Sequence, residues 1–163
     1  MSIRGLLLRQ FGNGFDTNGW FVAVRNALEG VTAEEAGFRA DGFDNSIWQI
    51  VRHLNFYNYA YVERFKGVDY QYPADDNNAT FMEGGGQVEW EAEVMRLNTI
   101  LDEFRGLISN ADDTRFAEPV SDSNQTKWAT LILNIAAHNA YHSGQIMLLR
   151  KLQGNWDRSK GVS

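Results

Sequence analysis

Both prolines of this 163-residue chain, Pro73 and Pro119, fall between long stretches whose apolar residues recur at helical spacing, and no convincing strand run appears. A chain punctuated in this way buries its hydrophobic stripes by packing helix on helix, so the expectation is an all-α four-helix bundle. The connections over residues 68–84 and 109–125 are long enough to cross over instead of joining antiparallel neighbours.

Terminal signals place the helices. Residues 3–11 look helical but stop at Gly12-Asn13-Gly14, and a second start follows in Asp16-Thr17-Asn18-Gly19. The first full helix is therefore predicted from about Asn18 to Glu29, with Trp20, Phe21, Val24, Ala27 and Leu28 buried and Gly30 as its end. Thr32-Ala33-Glu34-Glu35 reads as a capping box opening a short turn, and Ser46 with Gln49 reads as the start of the second helix. That helix turns Ile47, Ile50, Val51, Leu54, Tyr57, Tyr61 and Phe65 inward, carries His53 at the stripe's edge and closes at Gly67. A third helix is expected from about Gln87 to Arg105, with Val88, Glu91 or Ala92, Met95, Leu97 or Asn98, Leu101 and Phe104 inward. Thr126 is the expected N-cap of a fourth, which runs to Gln153 and stops at Gly154. Its inward seam is Leu131, Ile135, His138, His142, Gln145 or Ile146, and Leu149.

Composition narrows the class. A 44% hydrophobic and 13% aromatic chain of this length is read as one packed domain over residues 1–163. The net charge of −6 has no Lys/Arg stripe to neutralise phosphates, which argues against nucleic acid and anionic membranes and favours a small-molecule substrate or a protein partner. With no cysteine, disulfides, thiolate ligands and a cysteine nucleophile are excluded together. The apolar run within Met1–Arg9 is too short for a signal segment, and nowhere do about twenty apolar residues run together, so the expected address is the cytoplasm.

All three histidines lie on helical patterns. His138 and His142, four residues apart, project from one helix face, and His53 stands on another helix, so every imidazole could converge on one point. Such a pair with a third ligand from a facing helix is how a bundle builds a nitrogen-ligated metal site, the alternative being buried, hydrogen-bonded core histidines. Asn134, Asn139 and Gln145 flank the pair and could hold the imidazoles through hydrogen bonds, or be ordinary helix-face amides. Asn139 after His138 removes the His-Glu-x-x-His protease reading, and the absence of a glutamate three residues before any histidine removes the ferritin-like di-iron pattern. The Gly84-Gly85-Gly86 run lacks the Lys-Ser/Thr of a P-loop.

Two segments carry a family resemblance: Ser-Ile-Trp-Gln-Ile-Val-Arg-His from Ser46 to His53, and Ala-His-Asn-Ala-Tyr-His-Ser-Gly-Gln-Ile from Ala137 to Ile146. With the order of the helices, they make the chain resemble the DinB-like (DinB/YfiT) superfamily of four-helix-bundle, metal-dependent proteins, which includes thiol-dependent S-transferases. The resemblance implies a divalent metal, nickel or zinc, on His53, His138 and His142, a bundle that departs from simple up-down-up-down order, and a homodimer.

The expected function is a metal-dependent enzyme of the thiol S-transferase or hydrolase type, in which metal-bound thiolate or hydroxide is the nucleophile. Because the chain has no cysteine, the thiol would be a low-molecular-weight cofactor. Tyr57 and Gln145 are the candidates for orienting substrate. The alternatives are a noncatalytic metal-binding or stress-response protein and a helical dimerisation module.

Overall fold

The computed structural model describes residues 2–73, 76–82 and 84–161; Ala74, Asp75 and Glu83 of the long connection lie outside the described residues. The α-helices are α1 (Ile3–Phe15), α2 (Val24–Ala27), α3 (Ala33–Gly37), α4 (Ile47–Phe65), α5 (Gln87–Asn110) and α6 (Trp128–Gln153). Among the described residues there is no strand beyond one isolated bridge between Pro119 and Lys127, and no helix is long and apolar enough to cross a membrane.

The four long helices form the bundle, and side-chain pairs give their directions. Trp48 packs against Trp90 with the rings tilted, the Asn55 amide donates to Glu93, and Lys66 pairs with Glu103, so α4 and α5 run parallel. Phe65 packs on Trp128 while Asn58 meets Asn139, so α6 runs antiparallel to α4. Arg4 bonds to Asp113, Phe11 packs on Phe104, and Arg105 reaches back to Asp16, so α1 is antiparallel to α5. The order is up-down-down-up, and the connection after α4 crosses back along the bundle. Phe11, Phe15, Trp48, Trp90, Phe104 and Trp128 fill the core.

The expected capping boxes are both present, Thr32 with Glu35 and Ser46 with Gln49. Three local expectations are overturned. The chain does not break at Gly12-Asn13-Gly14: α1 continues to Phe15, and the segment predicted as a helix from Asn18 holds only the single turn α2. The glycine signal has a tertiary cause, because a Cβ on Gly14 would stand 2.7 Å from the carbonyl oxygen of Ala136, where α1 lies against α6. Asn18 instead shapes an irregular stretch, its Oδ1 accepting from the Ala23 N–H, and Trp20 is 98% exposed rather than buried. In α5 the buried face is Trp90, Leu97, Ile100, Leu101, Phe104 and Ile108, while Val88 and Met95 are exposed. Trp90 sets this phase by packing on Trp48 and donating its indole N–H to the Val31 carbonyl at 2.6 Å. Thr126 is not the N-cap of α6. Its carbonyl accepts from Val120, Lys127 takes the cap position without a side-chain bond, and the Trp128 N–H donates to Glu118.

Gly14→Ala should lose about 1–3 kcal/mol in denaturant unfolding, because the added methyl has rigid backbone against it. Gly106→Ala, within α5 and facing open space, should instead gain about 0.5–1 kcal/mol.

Candidate metal centre

The capping box at Ser46 starts α4 so that His53 faces α6 two turns later. The register between the helices is held by a buried amide pair, in which Asn58 Nδ2 donates to Asn139 Oδ1 at 3.0 Å and Asn139 Nδ2 returns a bond of 3.3 Å to Asn58 Oδ1. Asn139 is thus committed to α4 and not to an imidazole. Within about a turn and a half of this pair on either helix, all three histidines meet. His53 Nε2 lies 3.2 Å from His138 Nε2, which lies 3.1 Å from His142 Nε2, and the three donor atoms fall within 4.8 Å of one another.

Hydrogen bonds settle which nitrogens face inward. Gln145 Oε1 lies 2.6 Å from His142 Nδ1, while Gln145 Nε2 donates to the Tyr141 hydroxyl, so the amide oxygen accepts from His142 Nδ1–H. Thr80 Oγ1 lies 2.7 Å from His53 Nδ1. His142 therefore presents an Nε2 lone pair towards His138 Nε2, and His53 turns its own Nε2 to the same point; lone pairs at that spacing repel unless a proton or a cation stands among them. Nitrogen ligands in cis positions about 2.1 Å from one ion stand about 3.0–3.4 Å apart; the His53–His138 and His138–His142 spacings match that, so the cluster is compatible with a divalent metal. No carboxylate joins the cluster among the described residues.

Burial sets the charge state. His53 and His142 are buried and His138 is half-buried. Desolvation, with the neighbouring imidazoles adding repulsion, pushes His53 down to about 3 and His142 down to about 4, and desolvation also lowers His138. The cluster is a set of neutral donors over the neutral pH range, which is the form that ligates metal.

Above the histidines opens a cavity of about 680 Å³, walled by Tyr57, Tyr61, Phe81, Leu131 and Ile135 and rimmed by polar groups including Asp44, Asn77 and Asn134. Tyr57 stands edge-on to His53 and donates to Asn77 Oδ1 at 2.9 Å. Asn134 lines the cavity and is exposed, so it too is not an imidazole partner. Thr80 and Phe81, which touch His53 from the crossover, escaped sequence reasoning because nothing periodic marks them. The glycine run serves packing: a Cβ on Gly84 would sit 2.7 Å from the Trp48 ring, and the Gly86 N–H is taken by Glu89.

The depressed histidines have a consequence for metal-free protein. Below about pH 6.5 the unfolded chain takes up protons that the folded cluster refuses, so stability is full above that pH and declines as the pH falls towards 4 and then 3. Denaturant midpoints should fall between pH 7.5 and 5, and replacing all three histidines with glutamine should flatten that slope.

No curated protein and no solved structure matches the chain. A family model described as the DinB superfamily matches residues 22–146, a span that starts just before α2 and includes His53, His138, His142 and Gln145. Since the match covers most of the chain, and the fold is an all-helical bundle, this chain belongs to the DinB superfamily.

Proposed function

We propose that the chain is a metal-dependent enzyme of the thiol S-transferase or hydrolase type, with His53, His138 and His142 as the protein ligands of a divalent ion and a small molecule as substrate. The observation that carries this reading is an open cavity directly over three converging imidazoles, with no fourth protein ligand among the described residues. A site that merely stapled α4 to α6 would have no use for that opening. An all-nitrogen set suits zinc or nickel. When bound, the ion supplies Lewis acidity, lowering the pKa of a thiol or a water so that its deprotonated form is available near neutral pH.

The chain's own side chains do the rest. His53 and His142 hold their lone pairs inward through Thr80 and Gln145. Phe81, Leu131 and Ile135 give the cavity dry walls, and Tyr57 stands where it can orient a substrate. The lack of cysteine makes any transferred thiol a separate low-molecular-weight molecule. A homodimer in the cytoplasm completes the proposal; the exposed Leu133, Tyr141, Leu148 and Leu152 on the outer side of α6 favour a partner there.

Protein purified without a histidine tag should carry or take up one divalent ion per chain, and His142→Ala should cut that affinity at least about tenfold while far-UV circular dichroism stays helical. A screen of conjugation and hydrolysis with several low-molecular-weight thiols should then show ion-dependent turnover. Absence of both stoichiometric metal and affinity for it in the wild-type chain would rule the proposal out.

A further inference from the structure

The segment from Asp76 to Met82 runs back along α4 as a strap, with one short helical turn at Asn77–Thr80. Gln49, His53 and Tyr57 follow one another at four-residue intervals on a single face of α4, and each is bonded to it. Gln49 Nε2 donates to the Phe81 carbonyl at 3.2 Å, His53 Nδ1 meets Thr80 Oγ1 at 2.7 Å, and the Tyr57 hydroxyl donates to Asn77 Oδ1 at 2.9 Å. The order is antiparallel, so the three bonds zip the strap onto the helix. Gln49 also closes the capping box through its Oε1, which ties the strap to the start of α4.

The middle bond has a direction. The Thr80 hydroxyl owns one hydrogen and donates it to the Asn77 carbonyl at 2.7 Å. Towards His53 it can only accept, which requires the proton on Nδ1 and leaves the lone pair on Nε2. Phe81 stacks on the same ring with centroids 4.2 Å apart and planes 10° apart, opposing rotation of the imidazole. Thr80 is buried, so neither group has an easy substitute partner.

We propose that Thr80 is a positioning residue that sets the tautomer and orientation of His53, and that the crossover strap, not α4 alone, thereby determines which nitrogen His53 offers to the cavity. The same strap contributes Asn77, Asn78 and Phe81 to the cavity wall, so it joins the surface that meets a small molecule to the His53 ring. The effect on ion affinity rests on the reading of the three histidines as ligands; the effect on the tautomer does not.

The test uses the metal-free, ¹⁵N-labelled chain at neutral pH, in which long-range proton–nitrogen spectra report the tautomer of each histidine, followed by Zn²⁺ titration against a chromophoric chelator. Wild type and Thr80→Ser should show His53 as the Nδ1–H form and bind Zn²⁺ alike. Thr80→Val, which keeps the shape and removes the acceptor, should give mixed tautomers at His53 and weaken Zn²⁺ at least about tenfold. A wild-type His53 protonated on Nε2, or a folded Thr80→Val chain with unchanged tautomer and affinity, would overturn the proposal. Because the tautomer is read first on wild-type protein without metal, the outcome does not hinge on Thr80→Val folding. Failure of wild type to bind Zn²⁺ at all would refute the ligand reading while the spectra still decide the role of Thr80.

Discussion

Placing α4 and α5 side by side in the same direction is the constraint from which the rest of the molecule follows. Trp48 must meet Trp90 at one end and Lys66 must meet Glu103 at the other, so the chain leaving Phe65 has to return the length of a helix before α5 can begin. Such a return could run free over the surface with its backbone paired to water. It runs instead along the face of α4 that carries His53, and there it becomes both a wall of the cavity and a support for the imidazole. A simple up-down-up-down bundle with short turns would have no such segment to spend on the site.

The site itself is a polar island in an apolar bundle, and its cost explains how it is built. Two neutral imidazoles, two amides and a hydroxyl are buried between α4, α6 and the strap beside the half-buried His138, and each unpaired buried group there would cost about 1–3 kcal/mol. Asn58 and Asn139 satisfy each other, Gln145 serves His142, and Thr80 serves both His53 and the Asn77 carbonyl. The inward Nε2 lone pairs are the group left over. Aiming three imidazole nitrogens at one point is what separates this cluster from histidines buried for packing, which would direct their nitrogens to separate partners.

Much of this was legible in the sequence wherever the cause was local. Ser46 with Gln49, Thr32 with Glu35, and Gly67 and Gly154, both at positive φ, mark ends that each follow from the chemistry of a few neighbouring residues. The four-residue spacing of His138 and His142 likewise needs only a helix. What could not be read has its cause far along the chain. Gly14 looks like a breaker until Ala136 is placed against it, and Val88 and Met95 look inward until Trp90 finds Val31 and Trp48. Thr80 is one hydroxyl in a polar loop until the crossover lays it on His53. Helix periodicity reports which face is apolar; it carries no information on which distant backbone or hydroxyl will be brought to it.

The unequal support of the three histidines bears on what the cluster is for. His53 is pinned by Thr80 and stacked on Phe81, and His142 is pinned by Gln145, so two donors are rigid. His138 touches both through Nε2, but among the described residues its Nδ1 makes no hydrogen bond, and it is the least buried of the three. A closed structural site gains by locking every ligand, because each loose ring forfeits affinity. Here the least constrained donor borders the cavity, beside the exposed Tyr141, where a small molecule would approach. Were an ion held there, as proposed, two fixed donors and one compliant donor would let its coordination adjust as small molecules exchange. That asymmetry supports the proposed exchange at the cavity over a stapling role.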